Sequence, residues 1–145
     1  DARVLYAAQV YGKAVAAVSV QTGEVLARTA LQAEAYAAAV PPDGSAVYVS
    51  IWGASRVAVL EPRTLQPLAE IVVGEHPNAM AFSKDQKRLF VACANTNAVW
   101  VVDLASRTAR EQISVALYPK APVGSTVIPS PISLSRRIMN FRRSS

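Results

Sequence analysis

The chain has 145 residues, enough for one compact domain; 52% of them are hydrophobic and 17% are charged. This composition excludes an intrinsically disordered chain, and polar residues interrupt each apolar stretch before it reaches the roughly 18 residues of a membrane span. The formal net charge is +5, but residues 1–126 carry eleven Lys/Arg against ten Asp/Glu, so the basicity lies at the end of the chain. The single cysteine, Cys93, excludes an internal disulfide and a cysteine-cluster metal site.

A repeat of 42 residues runs through the chain without a gap. Equivalent positions of its three copies hold similar residues, as in Leu5-Tyr6, Val47-Tyr48 and Leu89-Phe90. Apolar residues alternate or form short β-branched runs within each copy, a pattern that favours strands over helices. The second copy predicts strands over 36–40, 46–51, 57–61 and 68–73, and the third over 79–82, 88–93, 98–103 and 110–115.

Four strands per unit of about 40 residues are typical of a propeller blade. The first copy begins at the second strand of a blade, so we expect antiparallel sheets of three, four and four strands. A β-sandwich also uses short, regularly spaced strands, but it does not require an internal repeat. The predicted fold is therefore all-β, a β-propeller fragment of about three four-stranded blades that is not closed.

The units resemble YVTN-type propeller repeats. The similarity rests on the start Pro77-Asn78, the apolar strand 88–92, the loop Asn95-Thr96-Asn97 and a strand ending at Asp103, although the turn at 83–86 lacks the usual Gly. Residues 116–126 resemble an insertion of bacterial YncE-like propellers that precede an alkaline-phosphatase-superfamily phosphoesterase domain. The resemblance implies a larger, exported parent protein of seven or so blades, periplasmic or extracellular. Its phosphoesterase domain and metal ligands would lie outside this chain, so no catalytic residue is carried over.

The repeat predicts a partial propeller over 1–126, with blades at 1–35, 36–77 and 78–117 and an inter-blade insertion at 116–126. Residues 127–145 form a basic tail outside the repeat, interpreted as an irregular or out-of-frame ending; the alternative is a short amphipathic helix over 132–143 that binds acidic lipid. No leading Met or export signal precedes the first copy, which predicts a processed or cut start. Unpaired blade faces predict association with the missing blades or with a second copy of the chain.

One face of such a propeller collects the loops between blades and the loops between second and third strands. The candidate ligand-binding residues on this face are Trp52, Arg56, His76, Asn78, Asn95, Asn97 and Tyr118, together with Lys13 and Lys120. His76 is either a ligand or general base at the channel mouth or a turn residue ahead of Pro77. Asn95 and Asn97 either bind a ligand or occupy left-handed turn positions. Trp52 either stacks on a ligand or packs between blades.

The remaining polar candidates receive structural interpretations. Trp100 and Cys93 lie in apolar strands and are expected in the core, with Cys93 inert. Asp43, Glu61, Asp85 and Asp103 fall at turns and are expected to cap backbone amides. The sequence contains one histidine and none of the common nucleophile, phosphate-loop or zinc-helix motifs, so no metal, cofactor or catalytic residue is predicted.

These observations predict a non-catalytic propeller segment that provides a binding or docking scaffold in a larger protein, for an unknown ligand. One alternative is an accessory part of a hydrolase, such as a phosphoesterase, whose catalytic domain lies elsewhere. Another is binding of single-stranded nucleic acid, which the near-neutral body disfavours. The chain itself is predicted not to be an enzyme and to lack turnover of phosphate esters.

Overall fold

The computed structural model describes residues 3–115, which belong to one compact unit. They form eleven strands and a single 3₁₀ turn. The strands are β1 Val4–Gln9, β2 Ala14–Ser19, β3 Val25–Ala30, β4 Ala35–Ala39, β5 Val47–Ile51, β6 Arg56–Leu60, β7 Pro67–Val72, β8 Pro77–Phe82, β9 Arg88–Cys93, β10 Ala98–Asp103 and β11 Thr108–Ser114, with the turn at Trp52–Ala54 between β5 and β6.

The strands pair in three separate antiparallel sheets, in the orders β1-β2-β3, β4-β5-β6-β7 and β8-β9-β10-β11. We call these sheets blades 1, 2 and 3. Each is a simple meander, because every strand pairs with its neighbour in sequence. The predicted all-β, open propeller with sheets of three, four and four strands is confirmed. Among the described residues, no helix is long and apolar enough to cross a membrane.

The first strands of blades 2 and 3 are irregular. The β4–β5 register shifts between Ala35 and Ala37, and the β8–β9 register shifts between Pro77 and Met80. Pro77 is therefore the first residue of β8, two residues before the predicted start, at the strand position where a missing N–H is tolerated. A bulge of this kind bends the strand and redirects its side chains.

Blade 2 is apolar on both faces because it lies between the other two blades. Val47, Val49 and Leu60 belong to a cluster shared with blade 1. The alternate residues Val57 and Val59 belong to a second cluster, which includes Leu89 and Val91 of blade 3. All five residues of β5 are buried, including the polar Ser50. Its hydroxyl accepts a bond from the Ala37 N–H (3.0 Å) and donates to the Asn78 carbonyl (2.9 Å), which ties blade 2 to blade 3.

The turn carboxylates cap backbone amides, as predicted. Glu61 accepts bonds from the N–H groups of Arg63 and Thr64, and Asp103 accepts one from Ser106. Asp43 and Asp85 each accept a bond from the N–H two residues further on. These bonds hold the pKa of the Asp43, Glu61 and Asp103 carboxyls below its ordinary value, and for Asp85 the hydrogen bond from the Ser83 hydroxyl is the larger cause, followed by the Lys87 amide.

Candidate functional site

Five loops lie at one end of the blades, and we call this end the loop face. They are segments 10–13, 31–34, 52–55, 73–76 and 94–97. In each blade, the residue that follows the last strand donates its N–H to a backbone carbonyl in the preceding loop of this face. The pairs are Leu31 to Lys13, Val73 to Ser55 and Val115 to Asn97. The Ala94 N–H also donates to the His76 carbonyl (3.1 Å), so the loops of blades 2 and 3 are in direct contact.

His76 has a backbone conformation that the repeat does not account for. The other left-handed residues fall at repeat-equivalent turns, 42 residues apart: Lys13, Ser55 and Asn97; Gly23, Leu65 and Arg107; Gly44 and Gln86. The repeat counterpart of His76 is Glu34, which does not have a positive φ, whereas His76 has φ 52°. A strained backbone of this kind, outside the regular turns, is typical of a functional position.

The His76 ring lies against Trp52 from the neighbouring loop. Their ring centroids are 4.0 Å apart and the planes meet at 46°. The Nδ1 atom of His76 is buried and has no hydrogen-bond partner among the described residues. Trp52 is 39% exposed, so it combines packing against His76 with an accessible ring surface. The structure thus brings together two of the predicted candidates.

Three further buried polar atoms lack a described partner: Asn78 Oδ1, Thr96 Oγ1 and Trp100 Nε1. Two of them lie beside Gly74, because a Cβ built there would be 2.5 Å from Trp100 Nε1 and 2.7 Å from Thr96 Oγ1. A buried polar group without a partner is costly, and such groups in native structures mark sites that are completed by water or a ligand. We call His76, Asn78, Thr96 and Trp100 the unpaired polar cluster. Thr96 and Trp100 meet at Gly74, the His76 carbonyl bonds to the loop that holds Thr96, and Asn78 is two residues after His76 in the chain.

The other predicted candidates that the structure describes contribute no unpaired buried atom. Arg56 forms an ion pair with Glu70 (2.5 Å), and both side chains are about half exposed. Asn95 and Asn97 are exposed, and Asn97 has φ 46°, as expected of a left-handed turn residue. Lys13 pairs with Glu34 (3.2 Å). Tyr118 and Lys120 lie outside the described residues.

Gly74 and Thr96 were not predicted as site residues, and Trp100 was predicted to lie in the core alone. Trp100 does pack against the core of blades 2 and 3, but its indole nitrogen belongs to the unpaired polar cluster. The sequence feature that could have indicated this role is a departure from the repeat, because Trp100 occupies the position at which blade 2 has Ala58. Cys93 is buried as predicted, and burial raises the pKa of its thiol. The described residues contain no group of three His, Cys, Asp or Glu side chains able to hold a metal ion.

Comparison with known proteins places this fold in a family. Residues 3–123 match the family model described as lactonase, 7-bladed beta-propeller. Among solved structures, hydrazine synthase of Kuenenia stuttgartiensis is 30% identical with a TM-score of 0.74, over 77% of this chain and 32% of that chain. No curated protein sequence matches the chain.

Two more distant structures share the fold alone. Dihydro-heme d1 dehydrogenase NirN, in complex with DHE, is 18% identical with a TM-score of 0.66, over 77% of this chain and 24% of that one. A Bacteroides fragilis protein, provisionally assigned as a 6-phosphogluconolactonase, is 23% identical with a TM-score of 0.68, over 78% and 36%. The chain therefore spans about a quarter to a third of the solved structures that it matches.

These matches correct one prediction and leave others as predictions. The prediction that the chain is not an enzyme is wrong at the level of the family, because the matched family is described as a lactonase and lactonases are hydrolases. The propeller is confirmed, whereas the narrower YVTN and YncE-like resemblance and the export that it implies remain predictions. With a family model that matches residues 3–123, the chain belongs to the lactonase family of seven-bladed β-propellers.

Proposed function

We propose that this chain contributes catalytic residues to a lactone-hydrolysing site on the loop face. The observation that carries the proposal is His76, with its left-handed backbone, its ring against Trp52 and its unpartnered Nδ1. The family description supplies the reaction class, and the unpaired polar cluster supplies side chains suited to it.

Lactone hydrolysis adds water across an acyl–oxygen bond. The imidazole of His76 accepts a proton from the attacking water, whose oxygen bonds to the carbonyl carbon. The negative charge that develops on the carbonyl oxygen needs hydrogen-bond donors, and Trp100 Nε1–H and the Thr96 hydroxyl lack other partners among the described residues. Both atoms are buried beside Gly74, so they become donors to the substrate when the Gly74 loop moves away from them. The ring carbon–oxygen bond then breaks, and the imidazolium returns its proton to the leaving oxygen, which yields an open-chain hydroxy acid.

The neighbouring side chains suit the rest of such a substrate. The exposed part of the Trp52 ring offers an apolar surface on which a saturated ring can lie. The Asn78 amide oxygen, buried and without a described partner, can accept a hydrogen bond from a substrate hydroxyl. A small polar lactone is therefore a better substrate for this cluster than a long acyl chain.

A continuous assay of proton release tests the proposal, with the full chain and δ-gluconolactone in weakly buffered indicator dye. His76→Asn is the informative variant, because Asn tolerates a left-handed backbone while it removes the imidazole. We expect turnover above the uncatalysed rate and a loss of about 100-fold in the variant. Ser55→Asn is the matched control, since Ser55 is also left-handed and the third repeat has Asn97 at that position. Turnover equal to background, or equal in wild type and His76→Asn, would refute the proposal.

A docking role for the same face is the second candidate. It is favoured by exposed aromatic side chains in two loops, since Tyr11 is fully exposed and Trp52 is 39% exposed. Loss of docking without loss of lactone turnover in a Tyr11→Ala variant would separate the two roles, because Tyr11 is not part of the unpaired polar cluster.

A further inference from the structure

A cavity of about 450 Å³ opens between blades 2 and 3 at the end opposite the loop face. Its volume falls within the range of small-molecule sites. The side chains that carry the inference are Asp43, Tyr48, Lys87, Asp103 and Arg107, all of which line it.

Tyr48 is 4% exposed, and its hydroxyl, which is not among the fully buried atoms, makes no hydrogen bond with a described residue. Its repeat counterpart, Tyr6, donates to the Pro62 carbonyl of the next blade (2.9 Å). The counterpart of Pro62 is Leu104, whose N–H donates to the Lys87 carbonyl (3.0 Å), a bond that proline cannot make. The Leu104 carbonyl accepts no bond from Tyr48, so the hydroxyl–carbonyl bond that joins blades 1 and 2 has no equivalent between blades 2 and 3, where the cavity lies.

Charged groups of both signs surround this hydroxyl. Asp43 and Asp103 use one carboxylate oxygen each to cap their own turns, and these hydrogen bonds lower the pKa of both carboxyls, which keeps them ionised at neutral pH. The side chains of Lys87 and Arg107 make no close ion pair or hydrogen bond with described residues, although Lys87 is near enough to Asp85 to help lower the pKa of that carboxyl. Burial raises the pKa of the Tyr48 hydroxyl, with Arg107 opposing this effect, so that the phenol keeps a proton to donate.

We propose that this cavity binds a small zwitterion, of the class of free α-amino acids. Lys87, Arg107 and the Tyr48 hydroxyl are donors for the carboxylate, and the free oxygens of Asp43 and Asp103 are acceptors for the ammonium group. Two cations and two anions leave the lining neutral, so a zwitterion pairs with charges of both signs, whereas a ligand of single charge pairs with one sign only. The inference is independent of the lactone site at the other end of the blades.

Titration calorimetry with L-alanine, L-leucine and L-glutamine tests the proposal on the full chain. Propionate and ethylamine, which each carry half of the zwitterion, serve as ligand controls, and sorbitol tests a neutral polyol. We expect at least one amino acid to bind about tenfold more tightly than either half-ligand.

Tyr48→Phe is the matched variant, because Phe90 occupies this position in the third repeat and shows that the ring alone fits the blade. We expect it to weaken amino-acid binding about tenfold, whereas Tyr6→Phe, which removes the paired hydroxyl, leaves binding unchanged. The proposal is overturned if none of the three amino acids binds, if propionate or sorbitol binds equally well, or if Tyr48→Phe has wild-type affinity.

Discussion

Gly74 makes close contact between blades 2 and 3 possible at the loop face, and Gly74→Ala tests that packing directly. The residue is buried, and an added Cβ would lie 2.5 Å from Trp100 Nε1, 2.7 Å from Thr96 Oγ1 and 3.0 Å from Cys93 Cβ. Carbon atoms in proteins do not approach so closely, so at least one of the three neighbours must move. The Cys93 contact is the hardest to relieve, because that Cβ is fixed to the β9 backbone.

The magnitude follows from two opposing effects. Overpacking by one methyl group in a well-packed site costs about 1–3 kcal/mol. Replacement of Gly by Ala also restricts the unfolded chain, which offsets about 0.4–1 kcal/mol of this cost. The expected net loss is about 1–2 kcal/mol in the free energy of unfolding, or about 3–8 °C in the melting temperature.

Urea denaturation followed by tryptophan fluorescence measures this loss, and only Trp52 and Trp100 contribute to the signal. Gly53→Ala is the matched control. Its Cβ would meet the carboxylate of Glu34, the end of a flexible side chain that can move, and would lie 3.2 Å from Ala33 Cβ. This contact is looser than the 3.0 Å contact with Cys93 Cβ, so we expect a smaller loss of stability than in Gly74→Ala. If Gly74→Ala were as stable as wild type, the packing of Trp100 and Thr96 around Gly74 would be wrong.

Three further predictions concern the blades. Ser50→Ala should lower the free energy of unfolding, measured by urea denaturation, by about 1–3 kcal/mol, because it removes the hydroxyl partner of the Ala37 N–H and the Asn78 carbonyl. An unchanged urea midpoint would contradict this prediction. The four turn carboxyls have folded pKa values below their unfolded ones, so the stability they contribute is present above about pH 4 and is lost as the pH falls through the folded values. In Asp103→Asn, the melting temperature should therefore fall less steeply than in wild type as the pH drops below about 4. The same fall in both proteins would count against this reasoning. We also propose that the chain associates through exposed apolar side chains such as Leu26 on β3, which is 54% exposed. Light scattering should show oligomers that dissociate on dilution and that Leu26→Lys weakens. A wild-type monomer at micromolar concentration would refute this proposal.

The fold was predictable from sequence because its determinants are local and repeated. The 42-residue period aligns the strands of three blades, and alternation along β5 and β6 indicates which residues are buried. The turn carboxylates were predictable for the same reason, since Asp43 and Asp103 bond to amides only two or three residues away. Strand boundaries were less accurate. Pro77 begins β8 because a register shift accommodates it, and this shift depends on pairing with β9.

The candidate site was only partly predictable, because its geometry arises between blades. The sequence identified His76 and Trp52 by residue type and loop position, but their 4.0 Å contact joins a loop within blade 2 to the loop between blades 2 and 3. It did not indicate that His76 has a left-handed backbone outside the repeated turns. Nor could it show that the Trp100 indole nitrogen lacks a partner, since that depends on what blade 2 places beside β10.

Departures from the repeat concentrate at the interface between blades 2 and 3, and they compensate one another there. Trp100 is large where blade 2 has Ala58, and Gly74 is small where blade 1 has Gln32, so the added indole occupies space that the missing side chain leaves. At the opposite end, the Tyr48 hydroxyl does not make the bond to a backbone carbonyl of the next blade that its counterpart Tyr6 makes. A repeat maintained only for stability would use the same solution at each interface. Both sites proposed for this chain therefore lie at the interface between blades 2 and 3, where the packing departs from the repeat and polar atoms remain without partners among the described residues. This is expected of an interface that also binds ligands.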